Sequence, residues 1–179
     1  MPRLFTGLEI PASVAGHLAS LRGGLPGARF VEPSDYHITL RFIGDIDMRM
    51  ANEIAHMLGM VRRKTFSLKL SELHSFGRDS PRAVVATLAS SSELTELQAE
   101  HERIMQRLGL PPESRKYTPH VTIARLKNAQ AQHVGEWIVV RSPLILPPFP
   151  VGRFVLYSSK TSIGGGPYLI EEAYPLVAA

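Results

Sequence analysis

The sequence contains no cysteine among its 179 residues. Disulfide bridges, thiolate metal ligands and a cysteine nucleophile are therefore excluded. Any chemistry that the chain performs must come from His, Asp, Glu, Ser, Thr, Lys or Arg side chains.

Long hydrophobic runs are missing as well. A membrane-spanning helix needs about 20 consecutive apolar residues. Glu9 and Pro11 interrupt the first apolar stretch, and four prolines between positions 143 and 150 interrupt the last. The N-terminus also lacks a basic segment followed by an unbroken apolar stretch and a cleavage site. We therefore expect a cytoplasmic protein that does not enter a membrane.

The composition that remains is typical of a folded domain. Hydrophobic residues make up 44% of the chain and charged residues 20%, which is enough to build a core. We expect one two-lobed domain over residues 1–179 that acts as a monomer. The net charge of +4 favours an anionic partner such as nucleic acid, although many mildly basic proteins bind none.

Residue periodicity predicts an α+β fold with a largely antiparallel sheet and outer helices. The predicted strands cover residues 4–10, 29–31, 36–43, 65–73, 83–88, 119–125, 151–158 and 168–174. The predicted helices cover residues 11–21, 48–61 and 92–108, and the stretch 130–141 is ambiguous.

Two parts of this order resemble each other. A strand, a helix and a strand with the sequence His-Ile-Thr-Leu from His37 are followed by a strand, a helix and a strand with His-Val-Thr-Ile from His120. The two histidines are 83 positions apart (120 minus 37). This repeat predicts an internal duplication about a pseudo-twofold axis, with a groove between the halves.

Side chains alternate between the two faces of a strand, so His37 and Thr39 share one face. Ile38, Leu40 and Phe42 are then expected to pack on the other face. The same alternation puts His120 and Thr122 together. One such motif is usually an ordinary surface strand, but strand propensity favours Thr and not His, so a second copy in an equivalent place indicates function.

Two histidines and two threonines suit the cleavage of a phosphodiester. Such a reaction needs a base for the attacking oxygen and an acid for the departing one, and a histidine with a pKa near 6.5 can serve as either. Threonine hydroxyls can donate hydrogen bonds to the non-bridging oxygens. We predict His37 and His120 as catalytic and Thr39 and Thr122 as substrate-binding. The residues alone leave open which histidine is the acid.

Two arginines follow the motifs at different spacings. Arg41 shares its face with His37 and is predicted to reach a phosphate. Arg125 falls on the opposite face of its strand unless a bulge or the strand end redirects it. Both also fit ordinary exposed arginines near a strand end.

The sequence resembles the two-histidine (2H) phosphoesterases, and among them the RNA 2′,3′-cyclic phosphodiesterases first described as 2′-5′ RNA ligases. The resemblance rests on segments spread along the chain: Arg3-Leu4-Phe5, Ile10-Pro11, Tyr36 to Gly44, Phe76-Gly77, Pro81-Arg82, Tyr117 to Arg125, Val155 to Ser158, Gly166-Pro167-Tyr168 and Tyr174-Pro175-Leu176.

This resemblance implies a bilobal α+β fold with two sheets around a basic cleft. It also implies hydrolysis of a 2′,3′-cyclic phosphate at an RNA end to a 2′-phosphomonoester, without a metal or other cofactor. His37 would be the proton donor and His120 the proton acceptor, and Arg125 would join the threonines in binding substrate. The implied partner is RNA with a cyclic phosphate end, tRNA fragments among the candidates.

Three alternatives stay open. Relatives can also form a 2′-5′ bond, so the chain could be a 2′-5′ RNA ligase. It could instead be a non-catalytic module that binds RNA ends, although both motifs are intact. A metal hydrolase would need further ligands, and no third histidine or carboxylate stands at motif spacing.

Overall fold

The structure of the chain, a computed structural model, describes residues 1–159 and 166–179. The strands are β1 (Arg3–Glu9), β2 (Ala28–Phe30), β3 (His37–Asp45), β4 (Phe66–Leu68), β5 (Leu70–Phe76), β6 (Ala83–Leu88), β7 (His120–Leu126), β8 (Phe149–Val151), β9 (Arg153–Ser159) and β10 (Leu169–Pro175). The helices are α1 (Ala12–Ala19), α2 (Met48–Leu58), α3 (Ser92–Arg107) and α4 (Ala131–Val140). A short 3-10 turn covers Pro33–Asp35.

The strands form an antiparallel sheet in the order β10-β9-β1-β3-β7-β6-β5, with β2 also paired to β7. Strands β4 and β8 form a second, two-stranded sheet. The predicted α+β class is confirmed. The ambiguous stretch 130–141 is helical, and α4 buries Val134 and Trp137 on one side.

A single residue pair joins the two halves of the main sheet. Strands β3 and β7 are paired only at Ile38 and Val121, which occupy equivalent positions of the two motifs. The two-stranded sheet is centred on Ser67 and Pro150, which are also 83 positions apart (150 minus 67). Both pairs therefore lie on the pseudo-twofold axis, and the predicted duplication is confirmed.

The same offset holds for the elements that follow each motif. Helix α4 begins 83 residues after α2, and β8 and β9 begin 83 residues after β4 and β5. Strands are also exchanged between the halves of the chain, because β5 of the first half pairs with β6 of the second and β9 of the second pairs with β1 of the first. This exchange fixes the two halves against each other.

The core lies on one face of the main sheet, under the helices. Ile38 and Val121 are fully buried there, and α3 contributes Leu94, Leu97 and Met105. The helices thus cover this face and leave the opposite face near the axis open. In the part of the chain that is described, no helix is long and apolar enough to cross a bilayer.

Candidate active site

A groove of about 580 Å³ lies on the open face of the sheet at the axis. Paired residues of neighbouring strands point to the same face, so Ile38 and Val121 both enter the core and their neighbours point away from it. His37, Thr39, His120 and Thr122 consequently all line the groove, and each is half-buried. The structure thus brings the four predicted motif residues together.

Equivalent hydrogen bonds fix both imidazole rings. Nδ1 of His37 donates to the carbonyl oxygen of Asp35 at 2.9 Å, and Nδ1 of His120 donates to the carbonyl oxygen of Thr118 at 2.7 Å. Each carbonyl belongs to the residue two positions before its histidine. A carbonyl can only accept, so the neutral ring carries its lone pair on Nε2. Both histidines can therefore accept or, once protonated, donate a proton through Nε2.

Aromatic rings enclose His37. Ring centroids of Phe5, Tyr168 and Tyr157 lie 4.9, 5.0 and 5.8 Å from that of His37. The resulting burial lowers the pKa of His37, against the opposing effect of the Asp35 carbonyl, and the charges of His120 and Arg125 lower it further. His37 therefore favours its neutral form in the free protein.

His120 has a different neighbour. Phe76 presents its ring at 90° to that of His120, with centroids 4.9 Å apart. Burial lowers the pKa of His120 as well, while the Thr118 carbonyl opposes this shift. Both histidines are thus poised as bases at neutral pH, and one of them must gain a proton before it can act as an acid.

Each motif strand contains a bulge at the same place. Pairing between β1 and β3 passes from Thr39 directly to Arg41, which leaves Leu40 without a partner. Pairing between β6 and β7 passes from Thr122 directly to Ala124, which leaves Ile123 without a partner. A bulge adds one residue to one strand and so reverses the alternation of side chains beyond it.

The second bulge turns Arg125 into the groove, where it is exposed. One guanidinium nitrogen of Arg125 donates to the hydroxyl of Tyr168 at 3.5 Å. The first bulge has the same effect on Phe42, which lines the groove and is 45% exposed. The expectation that Phe42 packs with Ile38 and Leu40 was therefore wrong.

The prediction that Arg41 reaches a phosphate was wrong. The same bulge directs the Arg41 side chain away from the groove. The Arg41 guanidinium is buried against α3, where it forms an ion pair with Glu102 and donates to the carbonyl oxygens of Phe42 and Pro111. With these partners it has no access to a phosphate held by the histidines.

Sequence reasoning missed the role of Asp35. Its carboxylate accepts a hydrogen bond from the backbone N–H of Tyr168 at 3.2 Å. It also lies so close to Gly166 that a Cβ there would be 2.0 Å from a carboxylate oxygen, so a larger residue would displace the Asp35 side chain. The Gly166-Pro167-Tyr168 segment was visible in the sequence, but its partner is 133 positions away.

The groove also carries two arginines that were not among the predicted site residues, Arg3 and Arg29. Of its two acidic residues, Glu32 is paired with Arg22 at 3.5 Å and Asp35 is hydrogen-bonded to Tyr168. The groove therefore favours an anion. Within residues 1–159 and 166–179, no group of three or more His, Asp and Glu side chains is arranged to hold a metal ion.

The chain is similar in sequence to several known proteins. The family model of the 2′-5′ RNA ligase superfamily matches residues 10–162. A protein of Aeropyrum pernix named RNA 2′,3′-cyclic phosphodiesterase is 40% identical over 124 residues, a match that covers 65% of this chain and 70% of that protein. A protein of Aquifex aeolicus with the same name is 30% identical over 152 residues, covering 82% of this chain and 81% of that protein.

Solved structures show the same fold. The crystal structure of E. coli LigT in complex with 3′-AMP superposes with a TM-score of 0.77, over 98% of this chain and 99% of that chain, at 22% identity.

Proposed function

Because this chain belongs to the 2′-5′ RNA ligase superfamily, we propose that it hydrolyses 2′,3′-cyclic phosphate ends of RNA to 2′-phosphomonoesters. The observation that carries the proposal is the meeting of two His-x-Thr motifs in one groove, on either side of the Ile38–Val121 pair. The names of the relatives from Aeropyrum pernix and Aquifex aeolicus support this substrate. RNA fragments with such ends, including those of tRNA, are the proposed partners.

In the proposed reaction, His120 accepts a proton from water through Nε2 as the water oxygen attacks phosphorus. The bond between phosphorus and the 3′ oxygen breaks, and His37 donates a proton to that oxygen. The 2′ oxygen keeps the phosphate. The Nε2 atoms fixed by Asp35 and Thr118 support an acid–base pair, and the likeness to 2H phosphoesterases supports this division of roles.

His37 takes up its proton when the substrate binds. Both histidines have a lowered pKa in the free protein, and a negatively charged phosphate between them favours the imidazolium form. Binding of the anion thus creates the protonated acid, while the second histidine stays available as the base.

The reaction also requires that the negative charge on the phosphate oxygens be stabilised. Thr39 and Thr122 hold hydroxyls at the groove, and Arg125 adds a guanidinium that can pair with a phosphate. We propose that these three residues bind the reacting phosphate and that no metal takes part.

Replacement of each histidine tests the proposal. His37→Ala and His120→Ala should each reduce turnover of a 2′,3′-cyclic phosphate by about 10²- to 10⁴-fold, because each removes one proton transfer. His133→Ala, at an exposed position of α4, is the matched control and should retain full activity. The assays are run with a chelator. Full turnover in both motif variants would reject the acid–base pair, and loss of wild-type turnover on chelation would reject metal independence.

A further inference from the structure

Two arginines face each other across β2 and β7. Arg29 and Arg125 are direct partners in the antiparallel pairing, and both are exposed and line the groove. Like charges directly opposite each other destabilise a pair of strands. Arg3 lines the same groove, with its guanidinium carbon 5.5 Å from the ring centroid of Phe42. Arg29 and Arg125 therefore place two positive charges together at a cost to stability, and Arg3 adds a third charge to the same groove.

Among residues 1–159 and 166–179, none of the three arginines forms an ion pair. The sequence between these two ranges contains no Asp or Glu. The two acids of the groove are engaged elsewhere, Glu32 with Arg22 and Asp35 with Tyr168. A bound anion is the group that would relieve the repulsion.

Arg29 lies at some distance from the two histidines along the groove. Arg125 follows His120 by five positions along β7, which corresponds to roughly 16 Å of extended strand. Strand β2 pairs with β7 on the same edge as β3 but ahead of the start of β3, since β3 pairs at Val121 and Arg29 pairs at Arg125. Arg29 is thus at one end of the groove and the histidines are further along it.

We propose that Arg29 binds the phosphate on the 5′ oxygen of the terminal nucleotide, next to Arg125, which binds the reacting phosphate. This subsite rests on the proposed function, which puts the 2′,3′-cyclic phosphate of that nucleotide at the histidines. A nucleoside that carries only a cyclic phosphate has no group for the subsite. The chain therefore selects RNA ends, or nucleotides with a 5′-phosphate, over bare nucleoside cyclic phosphates.

Affinities for two product-like ligands test the subsite without requiring turnover. Adenosine 2′,5′-bisphosphate should bind the wild-type protein about 10- to 100-fold more tightly than adenosine 2′-phosphate, because charged hydrogen bonds are gained. Arg29→Gln should reduce this ratio to below about threefold. Arg103→Gln, at an exposed position of α3 outside the groove, removes the same charge and should keep the wild-type ratio.

A 2′-phosphorylated adenosine dinucleotide separates the two sources of a 5′-linked phosphate. The same gain for the dinucleotide shows that the subsite accepts an internal phosphodiester, and a gain for the bisphosphate alone restricts it to a terminal 5′-phosphate. Equal affinities for all three ligands, or a ratio that Arg29→Gln leaves unchanged, would overturn the proposal. Arg29→Gln should unfold at the same or a slightly higher temperature, because it relieves the repulsion across the strands.

The two proposals fail in different ways. Absence of turnover with a preserved preference for the bisphosphate would contradict the proposed reaction and leave the subsite intact. Turnover without a preference for the bisphosphate would contradict the subsite and leave the proposed reaction intact.

Discussion

At the scale of single residues, the proposed reaction depends on the protonation of His37 and His120. It requires one neutral and one protonated imidazole. Burial lowers the pKa of both, so the form with two neutral rings dominates at pH 7. Activity is lost as pH rises because the acid loses its proton, and it is lost at low pH because the base gains one.

We therefore predict a bell-shaped profile of kcat/KM with its maximum below pH 6.5, the ordinary pKa of histidine. The profile of kcat should be shifted to higher pH, because the bound phosphate raises the pKa of both rings. Initial rates at low and at saturating substrate concentration over pH 4–9 measure both profiles. A kcat/KM maximum above pH 7 would contradict the enclosed site described for His37.

Substitution of Arg41 should affect stability, whereas substitution of Arg125 should affect activity. Arg41→Met removes the partner of Glu102 and of two carbonyl groups, and should lower the free energy of unfolding by about 3 kcal/mol while the folded protein keeps its kcat/KM. Arg125→Met should change stability by about 0.5 kcal/mol or less and lower kcat/KM by roughly 10- to 100-fold.

Urea denaturation and steady-state kinetics of the two variants check this contrast. Normal stability of Arg41→Met combined with a loss of kcat/KM would mean that Arg41 contacts substrate after all.

At the scale of elements, the two bulges decide which side chains enter the groove. Alternation predicts the placement of His37, Thr39, His120 and Thr122 because these residues precede the bulges. It fails for Arg41, Phe42 and Arg125, which follow them. A bulge depends on how a strand pairs with its neighbours, and single-strand periodicity contains no information on that pairing.

Close contact between strands should make substitution of Gly7 destabilising. It lies on β1 beside β3 and β9, and an added Cβ would be 2.8 Å from the carbonyl oxygen of Ile38 and 3.2 Å from the ring of Tyr157. Gly7→Ala should cost about 1–3 kcal/mol of stability and reduce kcat, since these strands hold His37 and its aromatic neighbours.

Gly135→Ala is the matched control for this substitution. Gly135 lies in α4 with no atom within 4 Å of an added Cβ, so alanine should stabilise the helix by about 0.5–1 kcal/mol. Thermal unfolding of the two variants gives both values. Equal stability of Gly7→Ala and the wild-type protein would show that the three strands are further apart than described.

At the scale of the whole molecule, the fold is symmetric but the residues around the two motifs differ. The duplication and the meeting of the two motifs could be predicted from the sequence because order and motif repeat together. The differences around the motifs could not, since they arise from contacts between distant segments. Asp35 with Gly166 is one such contact, and the enclosure of His37 by Phe5 and Tyr157 is another.

These differences give equivalent histidines different environments. Tyr157 beside His37 occupies the position equivalent to His74, and Arg125 occupies the position equivalent to Phe42, each pair being 83 residues apart (157 minus 74, 125 minus 42). At this position of the two motifs, β7 thus carries an arginine where β3 carries a phenylalanine. The scaffold thus presents two imidazoles with the same hydrogen-bonding geometry, and we propose that one acts as acid and the other as base.

Turnover of a cyclic phosphate in which sulfur replaces the 3′ oxygen tests this central claim most directly. A thiol is far more acidic than an alcohol, so the sulfur can leave without a proton and makes a general acid unnecessary. With this substrate, His37→Ala should approach the wild-type rate, while His120→Ala should remain slower by about 10²-fold or more. Equal impairment of the two variants on the sulfur substrate would contradict the assignment of His37 as acid and His120 as base.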